Sequence, residues 1–318
     1  MNNLTGRSNS DRADAVQPRI LITGGNGQVG RELAELCREQ HIPFVAYNSQ
    51  QLDVTDKKSV FGKIKKLQPT AVINAAAYTA VDNAENEVSK AYAVNRDGAK
   101  NLAIACEELN VMLVHISTDY VFDGKKDGPY IETDKTNPIS VYGASKLAGE
   151  QAVAECCSKY FIIRVSWVFG QYGKNFVKTM LHLAGEHADL KVVDDQFGAP
   201  TPADQIAEKL VGLITGNSTN YGTYHLESNP GITWYGFAQK IFQYADNENF
   251  ITNVPRVHPV DSSQYPTPVT RPKNSKLASA SQFDLGPIDW EKSLTKLIRR
   301  KKYCQDMTQK STATVSPA

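Results

Sequence analysis

The segment Arg19-Ile20-Leu21-Ile22-Thr23 runs directly into Gly24-Gly25-Asn26-Gly27-Gln28-Val29-Gly30, and the chain beyond carries Leu33, Leu36 and Cys37 at helical spacing. The apolar, β-branched run predicts a buried strand, and the following periodicity predicts a helix over 29–39. A strand that ends in a glycine turn and restarts as a helix opens a strand–helix–strand unit. The alternation then continues. Strands are predicted over 44–47, 71–74, 111–116 and 160–165, and helices over 59–67, 87–109 and 142–154. Gln68-Pro69 stops the second helix, because the residue before proline is pushed out of the helical region. The pattern implies an α/β fold. It is a doubly wound parallel sheet with helices on both faces, and such sheets bind ligands at the carboxyl ends of their strands.

Past Trp167 the pattern becomes irregular. Pro200, Pro202, Pro230, Pro255, Pro259, Pro266, Pro268, Pro272 and Pro287 break it into short pieces, with a helix predicted over 234–244. No internal repeat is present. The expected organisation is a disordered extension over 1–18 and a dinucleotide-binding domain of Rossmann type over 19–170. A mainly substrate-binding region follows over 171–302, part of which returns to the first domain, and a Ser- and Thr-rich disordered tail over 303–318.

Composition narrows the function classes. The 318 residues include 35 basic and 34 acidic ones, so no net charge pulls the protein toward nucleic acid or an anionic membrane. No apolar run approaches the roughly 18 residues of a membrane span. The first residues, with Arg7, Asp11, Arg12 and Asp14, lack the apolar centre of a secretory signal. The five cysteines are odd in number and form no C-x-x-C pair. Reduced thiols in the cytoplasm are therefore expected, with adjacent Cys156 and Cys157 on a helix.

The glycine turn fits two spacings. Gly25, Gly27 and Gly30 fit G-x-G-x-x-G, and Gly24, Gly27 and Gly30 fit the wider G-x-x-G-x-x-G. Glycine lets the backbone approach a pyrophosphate, and the helix behind it offers free N–H groups and a positive dipole end. The second strand ends in Ala46-Tyr47-Asn48-Ser49-Gln50, without the acid that usually binds ribose hydroxyls in a strict NAD site. NADPH is thus admitted and NADH stays open. Asp53 is a candidate for the adenine side, or else a helix N-terminal acid.

Tyr142-Gly143-Ala144-Ser145-Lys146 sets Tyr and Lys four apart on one helical face. A phenol with a pKa near 10 holds its proton firmly, and an adjacent ammonium is expected to lower that value. Such a tyrosine protonates a carbonyl oxygen as hydride arrives. Upstream, Ser117-Thr118-Asp119 at the end of the fourth strand offers a hydroxyl to the same carbonyl. Asn74-Ala75-Ala76-Ala77-Tyr78 ends the third strand with small residues that let a cofactor lie against the backbone.

Taken in this order, the motifs resemble the extended short-chain dehydrogenase/reductases and, within them, the dTDP-4-dehydrorhamnose reductase family. The resemblance runs from about Ile20 to Ile298. It is most specific in Asn74-Ala75-Ala76-Ala77-Tyr78-Thr79-Ala80-Val81-Asp82, Ser117-Thr118-Asp119-Tyr120-Val121-Phe122, Tyr142-Gly143-Ala144-Ser145-Lys146, Arg164-Val165-Ser166-Trp167 and Arg271-Pro272-Lys273-Asn274. It implies reduction of dTDP-4-dehydro-6-deoxy-L-mannose at C4 to dTDP-L-rhamnose with NADPH or NADH. By the same match Tyr142 is the proton donor, Lys146 its cofactor-binding partner and Thr118 a ligand of the sugar carbonyl. Asp119 and Trp167 belong to the sugar site, with Asn175, Phe176 and Arg271 as further substrate contacts. Gly24, Gly27, Gln28, Val29 and Gly30 match the pyrophosphate turn. Asp53 and Val54 match the adenine side, and Ala76, Ala77 and Tyr78 line the cofactor.

Trp167 also reads as core, Asp119 as a turn or cap, and Arg271 as a solvated surface group. The chain departs from the family pattern at Val165, which replaces a hydroxyl residue, and in both tails. Some relatives are metal-bridged dimers, so a homodimer with magnesium at its interface is compatible with the resemblance, although no metal cluster stands out in the sequence. Two rivals share the motifs. One is a reductase of a related sugar nucleotide, of dihydrostreptose synthase type. The other is a non-catalytic NADP-binding subunit, like the methionine adenosyltransferase beta subunit; the presence of Thr118, Tyr142 and Lys146 together argues against it.

Overall fold

The computed structural model describes residues 19–280 and 285–313, with side chains to residue 303. The expected disorder over 1–18 lies outside the described residues. Six strands form the central sheet: β1 (Ile20–Thr23), β2 (Phe44–Tyr47), β3 (Ala71–Asn74), β4 (Met112–Thr118), β5 (Tyr160–Val165) and β6 (Gly222–His225). Their order is β6-β5-β4-β3-β1-β2, and every neighbouring pair is parallel. The chain leaves β1 for one edge and returns to its other side with β3. That reversal opens a crevice at the carboxyl ends of β1 and β3.

Besides a single turn over Val81–Ala84, the α-helices among the described residues are α1 (Gln28–Glu39), α2 (Lys57–Leu67), α3 (Val88–Tyr92), α4 (Ala99–Glu108), α5 (Val141–Cys156), α6 (Phe176–Leu183), α7 (Ala203–Thr215), α8 (Trp234–Asn247) and α9 (Trp290–Ala313). A π turn over Ala93–Gly98 joins α3 to α4. The pleat divides β1 between two cores. Ile20 and Ile22 pack with Leu33 and Cys37 of α1 and with Ile206 and Leu210 of α7. Leu21 packs with Val60 and Ile64 of α2, Leu102 of α4 and Val153 of α5. Each such side chain contributes on the order of 1.5–3 kcal/mol. A one-residue slip of β1 would exchange its faces, which fixes the register.

A third core lies beyond the sheet, where Val177 of α6, Phe237 and Ile241 of α8, and Trp290 and Leu294 of α9 meet Phe169. The stretch after residue 170 is therefore shared, since α7 and β6 belong to the sheet layers and α6, α8 and α9 to this outer core.

Two expectations change. Of the tail expected over 303–318, residues 314–318 lie outside the described residues, and the part to Ala313 continues α9. Trp290, Leu294, Leu297 and Ile298 anchor its apolar stripe, and an anchored helix propagates through the Lys- and Gln-rich sequence that follows. Cys156 ends α5 while Cys157 is the extended, buried residue after it, so only one of the pair is helical. Among the described residues no helix is long and apolar enough to cross a membrane.

Candidate active site

One cleft of about 1310 Å³ opens over the carboxyl ends of β1, β3 and β4. At one end lies the glycine turn. Gly24 adopts φ +66°, and a Cβ on Gly30 would lie 2.2 Å from the Gly24 carbonyl oxygen. Gly30 does not line the cleft. Its lack of a side chain lets α1 start tight against the turn. Gly27 caps α1 without any side-chain hydrogen bond, and Gly24, Gly27, Gln28 and Val29 all line the cleft. An uncapped helix N-terminus facing a cavity is a place for an anion.

Next along the cleft come Asp53, Val54, Ala76, Ala77 and Tyr78. The Asp53 carboxylate accepts from the backbone and hydroxyl of Thr55, whereas Asp56 caps α2. The helix-capping alternative thus belongs to Asp56. Asn48, Ser49 and Gln50 line the same end and present no carboxylate. Tyr78 is held by Asn95 of the π turn, which receives its backbone N–H at 2.8 Å and donates to its carbonyl.

Thr118, Asp119, Tyr142 and Lys146 converge in the middle. Ser140 caps α5 through the Gly143 N–H, and a Cβ on Gly143 would lie 2.1 Å from the Tyr120 carbonyl. Glycine there brings α5 down onto the end of β4. The Tyr120 ring meets Tyr142 edge-on at 5.5 Å. The Thr118 hydroxyl donates to Asp119 at 2.9 Å. Burial raises the Asp119 carboxyl to about 6, against opposing hydrogen bonds from Ser275 and Thr118.

The electrostatics of Tyr142 run opposite to the expectation from spacing. Burial pushes its phenol up to about 12, Thr118 opposes this, and the Asp119 charge adds to it. Lys146 is lowered to about 8 by burial, against the attraction of Glu150. Desolvation dominates, with Lys146 buried and Tyr142 half-buried on the cleft wall, and the Lys146 Nζ is directed at the Ile116 carbonyl, 2.6 Å away.

At the far end Trp167 takes φ +44° and stacks on Trp234 with ring centroids 3.6 Å apart. It is half-buried and lines the cleft, so it is not simply core. Arg271 forks onto Asp82 at 2.8 and 3.1 Å and leaves one buried guanidinium nitrogen without a partner; both residues line the cleft. Asn175 caps α6 and donates to Gln28 at 2.9 Å, tying this end to the glycine turn. Phe176 lies beside it.

Comparison with known proteins matches this frame along most of its length. The RmlD substrate binding domain family matches residues 18–303. A dTDP-4-dehydrorhamnose reductase of Aggregatibacter actinomycetemcomitans is 45% identical over 284 residues, covering 87% of this chain and 97% of that protein. The chain belongs to the dTDP-4-dehydrorhamnose reductase family. A crystal structure of the Bacillus anthracis dTDP-4-dehydrorhamnose reductase in complex with NADP superposes with a TM-score of 0.82 at 38% identity, covering 89% of this chain and 99% of that one. A dTDP-4-keto-6-deoxy-D-glucose reductase of Streptomyces niveus is 37% identical over 87% of this chain and 95% of its own.

The cleft of this reductase-family chain fits a nicotinamide dinucleotide. The uncapped α1 faces its phosphate end, and Ser117 leaves a buried hydroxyl without a partner on its wall. Magnesium is a different case. Among the described residues no group of three or more His, Cys, Asp or Glu side chains is placed to hold a metal ion. Glu32 and Asp204 do approach each other, but Lys296 and Arg300 share the same pocket.

Sequence reading missed several participants. Trp234, Asp82 and Asn95 are far in sequence from the side chains they position, and nothing local marks them. His115 had a signal: a polar residue inside an apolar strand covered on both faces.

Proposed function

We propose that the protein reduces the C4 ketone of dTDP-4-dehydro-6-deoxy-L-mannose to give dTDP-L-rhamnose. One observation carries this reading. Thr118, Tyr142 and Lys146 meet midway along one cleft, between the uncapped α1 turn and the Trp167–Arg271 end. When bound, NADPH or NADH supplies the hydride. The N–H groups at the start of α1 and the small residues Ala76 and Ala77 orient the dinucleotide, and Tyr78 and Asp53 border it. The Thr118 hydroxyl bonds the sugar carbonyl. Tyr142 delivers its phenolic proton to that oxygen as charge develops there. Lys146 contributes an ammonium that offsets the charge left on the phenolate. Trp167 packs on the sugar, Asp119 sits beside it, and the free arm of Arg271 receives the pyrophosphate.

In this reading residues 19–170, with α7 and β6, hold the cofactor, and the outer core holds the sugar nucleotide. The working protein is a cytoplasmic homodimer. The test is NADPH oxidation with the enzymatically prepared 4-dehydro sugar, with product identification and Tyr142→Phe in parallel. Oxidation matched by dTDP-L-rhamnose, with kcat in the variant down by about 10²–10⁴-fold, is expected. Oxidation seen only with the 4-keto-6-deoxy-D-glucose nucleotide would transfer the assignment to that sugar.

A further inference from the structure

Lys146 ends a row of buried polar side chains that crosses three strands. Thr23 donates to Asn74 Oδ1 at 2.6 Å, Asn74 Nδ2 lies 2.9 Å from His115 Nδ1, and His115 Nε2 lies 3.5 Å from Lys146 Nζ. Thr23 pairs with Asn74, and Asn74 with His115, in the registers of β1, β3 and β4. All four residues are 2% exposed or less.

The hydrogen bonds decide where the imidazole proton sits. Asn74 Oδ1 also accepts the backbone N–H of Ala76 at 3.2 Å. A backbone N–H can only donate, so the amide oxygen faces Ala76 and Thr23, and the NH₂ group faces His115. His115 Nδ1 is therefore an acceptor. Burial, with the Lys146 charge beside it, keeps the ring neutral, so its proton is on Nε2 and points at Lys146. An ammonium has only donors. The two groups therefore face each other donor to donor until Lys146 releases a proton and accepts from Nε2–H.

We propose that His115 is a positioning residue for Lys146. Its Nε2–H, fixed by Asn74, steers Nζ to the Ile116 carbonyl and favours the form of Lys146 that has released a proton. The inference deepens the reading of Lys146 as the ammonium that supports Tyr142 and rests on it. The other charged or titratable groups around Lys146 are few. Along α5 they are Tyr142 and Glu150. Glu150 is paired with Arg164 of β5 at 2.7 Å. Asp119 follows β4, and His225 of β6 contacts Arg164 at 3.2 Å. The π turn presents Arg96 and Asp97, which pair with each other at the surface. Substitution of His115 leaves all of these in place.

Two variants separate positioning from mere packing. His115→Asn keeps an acceptor near the place of Nδ1 for Asn74 and withdraws the donor from Lys146. His115→Gln keeps a donor near the place of Nε2. NADPH binding, followed by fluorescence from neutral to alkaline pH, reports on Lys146 without any sugar, and turnover is measured in parallel. In the Asn variant the alkaline limb of both profiles is expected to move up by about 0.5–1 pH unit, a three- to tenfold change in proton affinity. The Gln variant keeps the wild-type limb. A folded Asn variant whose limb coincides with wild type overturns the inference, as does a Gln variant displaced as far as the Asn variant. If the Asn variant does not fold, the Gln variant decides alone, its limb either kept or displaced. A wild-type protein inert toward dTDP-sugars, with a displaced binding limb in the Asn variant, removes the proposed substrate and leaves the role of His115 standing. Full turnover with an unmoved limb does the reverse.

Discussion

Asp119→Asn should make the protein more stable and less active. The Asp119 carboxyl is 2% exposed, and burial carries it from 3.8 up to about 6. In the unfolded chain the group loses its proton near the lower value, and in the folded chain only near the higher one. Between the two, the folded state binds the extra proton. The stability that Asp119 contributes is therefore complete below 3.8 and is lost as pH rises through about 6. At about 1.4 kcal/mol for each pH unit, the penalty above that window is about 3 kcal/mol. The Asn variant has no charge to bury and keeps an acceptor for the Thr118 hydroxyl. Urea unfolding at about pH 7 should show a gain of roughly 2–3 kcal/mol, shrinking to near zero at about pH 4. The same protein should lose turnover with the dTDP-sugar. A variant no more stable than wild type at neutral pH, or equally stabilised at both pH values, would refute the reasoning.

Two further substitutions test how the site is supported. Glu150→Gln leaves Arg164 charged and buried opposite an amide, where the native pair meets at 2.7 and 2.9 Å. A loss of about 3–5 kcal/mol is expected by urea unfolding. Adding Arg164→Met should recover part of it, because the two residues couple. Gly30→Ala puts a methyl group 2.2 Å from the Gly24 carbonyl oxygen, so the turn must shift. NADPH binding should weaken by about tenfold or more, the equivalent of about 1.4 kcal/mol, read by fluorescence titration.

The central sheet was legible because its strands carry their own signal. Residues 44–47, 71–74 and 160–165 are strands at the expected positions, since each is an apolar run bounded by turn residues. β4 continues two residues beyond its apolar run, because Ser117 and Thr118 pair with Arg164 and Val165 even though they are polar. β6, Gly-Thr-Tyr-His, has too little apolar periodicity to be read and becomes a strand by lying along β5. The site divides in the same way. Strand ends and the glycine turn are local, and the candidate site residues drawn from them line one cleft, Gly25 and Gly30 excepted. The groups that hold them come from elsewhere: Asn95 under Tyr78, Trp234 on Trp167, Asp82 on Arg271. These contacts follow from how the helices and loops close over the sheet, and no spacing along one segment encodes them.

Spacing in Tyr142-Gly143-Ala144-Ser145-Lys146 suggests an ammonium that loosens the phenolic proton, but the surroundings of the pair set a different division of work. Burial disfavours the charged form of each partner, so it acts on the two groups in opposite directions. Tyr142, pushed up to about 12, keeps its proton throughout the neutral range and is always in the form that can protonate a carbonyl. Lys146, drawn down to about 8, is the member of the pair that titrates under working conditions. The overall equilibrium with hydride is unaffected, yet the resting site holds the protons in the arrangement that ketone reduction uses. Reaching the phenolate that alcohol oxidation starts from requires about 3 kcal/mol beyond an ordinary tyrosine. The alkaline limb of kcat/KM for reduction should therefore lie near 8 and belong to Lys146. The check is to replace Lys146 with Arg, whose guanidinium does not titrate in this range. The limb should then disappear from the residual activity. A limb that persists near its original position in Lys146→Arg would show that another group controls it.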